Sequence, residues 1–163
     1  MKYSKEQIVW ILLRLSMGFI FFWAFIDKLL GLGFATAPEK AWLAGNSPTL
    51  GFLKFGTHGP LASFYQGLAG NVVIDWLFML GLLFVGIAFL LGIANRLAAY
   101  IGALMMLMIY TSLLLPENNP LIDDHIIYIL VFLLLGYAKA GKWFGLAGWW
   151  ENTGIVKKIP LLK

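Results

Sequence analysis

The sequence contains no cysteine. A structural disulfide, a thiolate metal site and a Cys-x-x-Cys redox relay are therefore excluded, and any redox chemistry must come from a bound cofactor, a substrate or a partner subunit. Charge is scarce too. Asp, Glu, Lys and Arg make up 12% of the 163 residues, against roughly 25% in an ordinary soluble domain. Histidine occurs twice, at His58 and His125, without the His-x-x-x-His or Glu-x-x-His spacing of a helical metal site. Haem held by both histidines would need His58 on an ordered, inward-facing segment. No metal site and no covalently held cofactor are expected. No Gly-x-Gly-x-x-Gly or phosphate loop is present to cradle a nucleotide. The formal charge of +4 comes without a basic stripe interleaved with aromatics, so nucleic acid is not an expected partner.

What the chain has in excess is apolar surface, at 61% of its residues. A soluble domain of this length could not hide so much, and the lipid bilayer is the natural solvent. Four apolar segments stand out, at about 8–30, 72–91, 97–115 and 120–140. Each is near the roughly 20 residues that carry a helix across a hydrocarbon core about 30 Å thick. No period-2 alternation supports a barrel, so helices are expected. The fold class that follows is an all-α membrane protein, a single domain over residues 1–163 built as a four-transmembrane-helix bundle. Lys2 and Lys5 precede the first run and Ala35-Thr36-Ala37 has the look of a cleavage site. The run is too long for an ordinary signal peptide and Pro38 would follow the cut, so an uncleaved first helix is expected.

Gly92 to Arg96 makes a very short turn, so the second and third helices form a hairpin. Pro116 follows the third helix and cannot comfortably continue it. Asn119-Pro120 reads as the cap and first residue of the fourth, with Asp123 and Asp124 early in it, where the helix dipole favours negative charge. Residues 31–71 form a long connection in which Pro38 to Gly45, carrying Trp42, and Pro60 to Ala69 are candidate interfacial helices. Phe64 and Tyr65 of the latter are expected to face the membrane. The tail, residues 141–163, is rich in Trp and is expected to lie along a membrane surface. Orientation follows from Lys and Arg. With both termini cytoplasmic, the inner side holds eight (Lys2, Lys5, Arg96, Lys139, Lys142, Lys157, Lys158, Lys163) and the outer side three (Lys28, Lys40, Lys54). The expected location is a prokaryotic cell membrane, with residues 31–71 outside.

Arg14 is the most costly residue of the first segment. Two placements fit: snorkelling to the inner headgroups, or facing inward to pair with an acid or bind an anionic or quinone oxygen. Arg14, Gly18, Phe21, Phe25 and Lys28 share one helix face, as a pocket lining or as a packing seam. At the outer end the topology gathers Asp27, Lys28, Asp75, Asp123, Asp124 and His125. His125 and Asp124 can each share a face with Tyr128. A carboxylate beside a His and a Lys is a workable proton-transfer set, and a helix start decorated by acids is the simpler alternative. Small pairs four apart (Ala88 and Gly92, Ala98 and Gly102, Ala99 and Ala103) permit close helix contact. Gly81 and Gly86 do likewise or open space for a ligand, and Met105, Met106 and Met108 read as filler.

Several stretches in this order carry a resemblance. They are Arg14-Leu-Ser-Met-Gly18 leading to Asp27-Lys28, Gly67-Leu-Ala-Gly-Asn71 with Asp75-Trp76-Leu77, and Gly86-Ile-Ala-Phe-Leu-Leu-Gly92 with Arg96-Leu-Ala-Ala99. They continue in Glu117-Asn-Asn-Pro120, Asp123-Asp124-His125 and Gly141-Lys-Trp-Phe-Gly-Leu146. Together they resemble the DoxX/DoxD family of integral membrane proteins over nearly the whole chain. The resemblance implies a four-helix membrane bundle. It also implies similarity to a subunit of thiosulfate:quinone oxidoreductase, which oxidises thiosulfate to tetrathionate and passes electrons to quinone. Leu82 stands where many members have Glu, so a mechanism that uses that acid does not carry over whole.

The expected function is then a membrane-embedded, quinone-linked oxidoreductase or a subunit of one, with quinone as co-substrate. Lys28, Asp124 and His125 are its candidate catalytic residues, and Arg14, Asp27, Asp75, Trp76 and Tyr128 its candidate binding residues. A non-catalytic anchor or assembly subunit for a redox partner explains the missing redox motifs equally well. A small transporter or lipid-binding protein is a further alternative. Expected partners are the lipid bilayer, a second membrane or peripheral redox subunit, and further copies of the chain in a homo-oligomer.

Overall fold

A computed structural model describes residues 3–116, 119, 121–138 and 140–162. Pro120 as a helix start, Glu117 and Asn118 of the family stretch, and Lys2, Lys139 and Lys163 of the charge count lie outside the described residues. Among the described residues the structure is helical throughout, with no strand.

Helix α1 spans Lys5–Leu30 and begins earlier than the apolar run. The reason is a capping box: Ser4 Oγ accepts from Gln7 N (3.2 Å) while Gln7 Oε1 accepts from Ser4 N (3.0 Å). It stops at Gly31, whose left-handed φ of 67° lets its N–H reach back to the Asp27 carbonyl. After the short helix α2 (Ala62–Gly67) comes α3, Val72–Leu91, on the expected bounds. Asn71 Oδ1 caps it by accepting from Val73 N and Ile74 N, and Gly92 ends it in the left-handed region.

The other two long helices differ from expectation. Helix α4 spans Asn95–Ser112 rather than 97–115. Pro116 does not end it. Ser112 Oγ turns back to donate to Ile109 O (2.7 Å), and the Ser112 carbonyl accepts from His58 N (3.1 Å), so the long connection takes the place of another helical turn. Helix α5 spans Asp124–Tyr137 rather than 120–140. Its cap is Asp123, whose carboxylate accepts from His125 N and Ile126 N. Asn119, expected as that cap, instead closes its own turn by accepting from Leu121 N and Ile122 N. Two helices, α1 and α3, are long and apolar enough to cross a membrane. Helix α4 carries Asn95 and Arg96 in its first turn, and α5 has 14 residues.

Helix α1 packs on α3, α3 on α4, and α4 on α5. The α1–α3 crossing is almost backbone to backbone. A Cβ on Gly86 would stand 2.7 Å from Phe22 N, and one on Gly18 would stand 2.9 Å from Leu90 N. Gly81 meets Met105 in the same way, so neither Gly81 nor Gly86 opens space for a ligand. The four helices meet at Phe132 of α5, which is fully buried. Its ring stacks on Phe89 at 5.6 Å, takes the edge of Phe21 at 5.1 Å, and fits against Gly102 of α4. The Arg14–Lys28 stripe is thus a packing seam: Gly18 and Phe21 are buried in it, and Lys28 lies 5.9 Å over the Phe78 ring. Met106 belongs to the same core, while Met108 is exposed.

The long connection is ordered by short turns at Pro38–Lys40, Trp42–Ala44 and Phe52–Gly56, followed by α2. Trp42 packs edge-on to Trp76 at 4.7 Å. Phe64 is exposed, as expected, but Tyr65 turns inward and shares a hydrogen bond with Thr111 Oγ1 (2.6 Å). The tail folds into Ala140–Lys142, α6 (Ala147–Trp150), α7 (Gly154–Lys158) and Pro160–Leu162. Val156 is fully buried, so the tail packs on the bundle rather than trailing from it.

Candidate functional site

The candidate site lies where α4 gives way to α5. A cleft of about 320 Å³ is lined by His58, Asp123, Asp124 and His125 with Leu113, Pro116, Asn119 and Ile122. Each ionisable group is there for a local reason. Asp123 must turn its carboxylate back over the first turn of α5 to cap it, which puts its second oxygen 2.7 Å from His125 Nδ1. His58 is drawn in because its own N–H closes the end of α4. Asp124, in the first turn, is exposed.

Burial pushes the Asp123 carboxyl up. The hydrogen bond and charge of His125, with the backbone N–H groups of His125 and Ile126, outweigh that and hold it below its ordinary value. Asp123 is therefore an ionised acceptor at neutral pH. By holding Nδ1–H it orients the imidazole and leaves Nε2 as the nitrogen that can take up or release a proton, the arrangement of a general acid–base. Among the described residues no group of three or more His, Cys, Asp or Glu is placed to hold a metal ion.

The remaining expected site residues fall into other surroundings. Asp27, buried at the end of α1, accepts from Phe34 N (3.3 Å) and Ala35 N (3.0 Å). Asp75, buried at the start of α3, accepts from Ser47 Oγ (2.8 Å) and Thr49 Oγ1 (2.6 Å). Both carboxylates fasten the long connection to the bundle, and Trp76 does the same through Trp42. Among the described residues no hydrogen bond or ion pair joins Lys28, Asp27 or Asp75 to the Asp123–His125 pair. The charges expected to gather at one end are thus not joined into a single hydrogen-bonded group. Tyr128 sits one turn beyond Asp124 on the exposed side of α5.

Arg14 takes the inward placement and is fully buried, and its hydrogen-bond partners are backbone carbonyls rather than an acid. Its guanidinium donates to the carbonyls of Phe89, Leu90 (3.3 Å) and Phe144 (2.7 Å). The first two are helix-end acceptors of α3, where the dipole favours a cation. The third ties the tail to the bundle. Beside it the buried Asn95 amide, oriented to suit its neighbours, donates to Ala88 O (3.2 Å) and accepts from Gly141 N (2.8 Å). Sequence reasoning gave Asn95 no role and counted Asp123 among the gathered charges without naming it a candidate site residue. The signal for Asp123 was its place two residues before His125, the spacing of a helix cap.

The chain matches no family model, no curated protein and no solved structure. Among the described residues, the class it shows on its own is an all-helical protein with two helices long and apolar enough to cross a membrane.

Proposed function

We propose that this protein is a four-span membrane protein with both termini cytoplasmic, and that it exchanges protons with a quinone as a quinone-linked oxidoreductase or a subunit of one. The four-span reading draws on the apolar exposure of all four long helices: Phe19 on α1, Leu77 on α3, Leu104 on α4 and Leu130 on α5 are each more than half exposed. Such faces suit lipid rather than water. At about 1.5 Å per residue α4 is ~27 Å long.

The observation that carries the redox reading is the Asp123–His125 pair, 2.7 Å apart in an open cleft with His58 opposite. Quinone reduction takes two electrons and two protons. His125 Nε2 supplies or accepts a proton at a quinone oxygen, and His58 is placed to serve the same cleft. In the reading carried by the DoxX/DoxD resemblance, two thiosulfate ions couple to one tetrathionate and release the two electrons. Asp123 and Asp124 make the cleft a poor host for a dianion. It therefore supports the quinone half of that reaction, with thiosulfate oxidised elsewhere on the chain or on a partner subunit.

A second reading is a non-catalytic membrane anchor for a redox partner. It is favoured by Arg14, Asp27 and Asp75, whose side-chain hydrogen bonds hold backbone segments or neighbouring side chains in place. Purified protein given thiosulfate and a soluble quinone analogue separates the two. Turnover that falls at least tenfold in His125→Ala supports the proton-exchange site. Unchanged turnover in His125→Ala and Lys28→Ala removes the outer residues from the mechanism. Folded protein that turns over only when a co-purified partner is added supports the anchor.

A further inference from the structure

A second cavity, of about 430 Å³, opens at the other end of the bundle. It lies where the α3–α4 turn, the end of α5 and the tail converge. Its polar lining includes Asn95, Arg96, Tyr137, Lys142 and Glu151. None of these takes part in the Asp123–His125 cleft. Lys142 Nζ is held by Glu151 Oε2 at 2.9 Å. Arg96 has no carboxylate partner among the described residues, and its guanidinium meets the Tyr100 hydroxyl. The cavity thus carries one guanidinium without a carboxylate and a second, positioned ammonium. Tyr137 stands beside them, 64% exposed, an amphipathic ring of the kind that sits at headgroup level. The tail next to the cavity presents Phe144, Leu146 and Trp149, each about half exposed or more.

We infer that this cavity binds the phosphate of an anionic phospholipid, with Arg96 as the primary contact and Lys142 as the second. A guanidinium fits a phosphate with two parallel hydrogen bonds, which an ammonium cannot do. Glu151 sets the position of Lys142 and lowers the net charge of the site. The adjoining apolar tail gives the acyl chains a surface to lie on, which a soluble phosphate would not need. The site lies at the end of the spans whichever way the bundle is oriented, so it does not depend on the quinone reading.

The test uses the full chain in neutral detergent, titrated with phosphatidylglycerol, phosphatidylcholine or inorganic phosphate, with bound lipid counted by native mass spectrometry. Phosphatidylglycerol should be retained and phosphatidylcholine lost. R96Q should weaken phosphatidylglycerol binding about fivefold, the factor equivalent to one basic group at a membrane surface. E151Q should strengthen it by a similar factor, a gain that misfolding cannot imitate. Equal retention of the two lipids, or unchanged phosphatidylglycerol affinity in both variants, overturns the site. Displacement of phosphatidylglycerol by millimolar inorganic phosphate assigns the cavity to a soluble anion and overturns the lipid.

Discussion

Replacing Arg14 with Gln removes the group that joins three parts of the molecule. The guanidinium is fully buried and donates to the carbonyls of Phe89 and Leu90 at the end of α3 and to that of Phe144 in the tail. Hydrogen bonds that involve a charged partner contribute roughly 1.5–3 kcal/mol each. The contact to Leu90 is long, so the bonds to Phe89 and Phe144 set the scale at about 3–6 kcal/mol gross. Gln reaches at most one of these acceptors, and its neutrality relieves part of the desolvation borne by the cation. The net loss expected is about 2–3 kcal/mol, a large share of a typical stability of ~5–15 kcal/mol. The loss should also be local. Without Arg14 the tail keeps, among the described residues, the Leu146 N to Leu91 O bond (2.9 Å) and the Asn95–Gly141 contact at this point. Denaturant unfolding in mild detergent reads the stability, and trypsin cleavage at Lys157 and Lys158 reads the tail. Both should change in Arg14→Gln, with cleavage accelerating before global unfolding. A parental unfolding midpoint together with a parental cleavage rate would refute the role given to Arg14.

Three further outcomes are expected. Gly86→Ala forces a Cβ against the Phe22 backbone, 2.7 Å away, and should cost about 1–3 kcal/mol as overpacking, seen as a lowered Tm; an unchanged Tm would mean that α1 and α3 do not cross there. Asp75→Ala strips Ser47 and Thr49 of their acceptor, so hydrogen exchange should quicken around residues 46–50 while the α4–α5 core stays protected. Asp123 has a depressed pKa in the folded state. Its contribution is therefore complete above the ordinary Asp value of about 3.9 and is lost as pH falls through the folded value. Asp123→Asn should flatten that acid limb in pH-dependent unfolding, and an acid limb identical to the parent's would sink the assignment.

The legible and illegible parts divide by range. Helix α3 was readable to the residue because both of its ends are written locally, in Asn71 and Gly92. Helix α5 was misjudged because two cap signals, Asn119 and Asp123, lie four residues apart, and local pattern does not rank them. Helix α4 was overextended because its last carbonyl is satisfied by His58, more than fifty residues away along the chain. The Arg14–Lys28 face was visible as periodicity. Whether it lined a pocket or a seam depended on Gly18, Gly86 and the Phe132 ring coming together.

By itself the sequence determined the main helical elements. An apolar run with little charge makes a helix in an apolar surrounding whatever its partners, because each backbone hydrogen bond closes within its own segment. Only the tertiary structure decided which costly polar groups are spent on architecture. Arg14, Asp27, Asp75 and Asn95 are sequence-distant from the backbone or side-chain groups they satisfy, or reach them only once the loop and tail have folded back. A buried charge must find partners, and those partners are set by packing rather than by spacing. That left the Asp123–His125 pair, together with His58, as an ionisable cluster lining an open cleft.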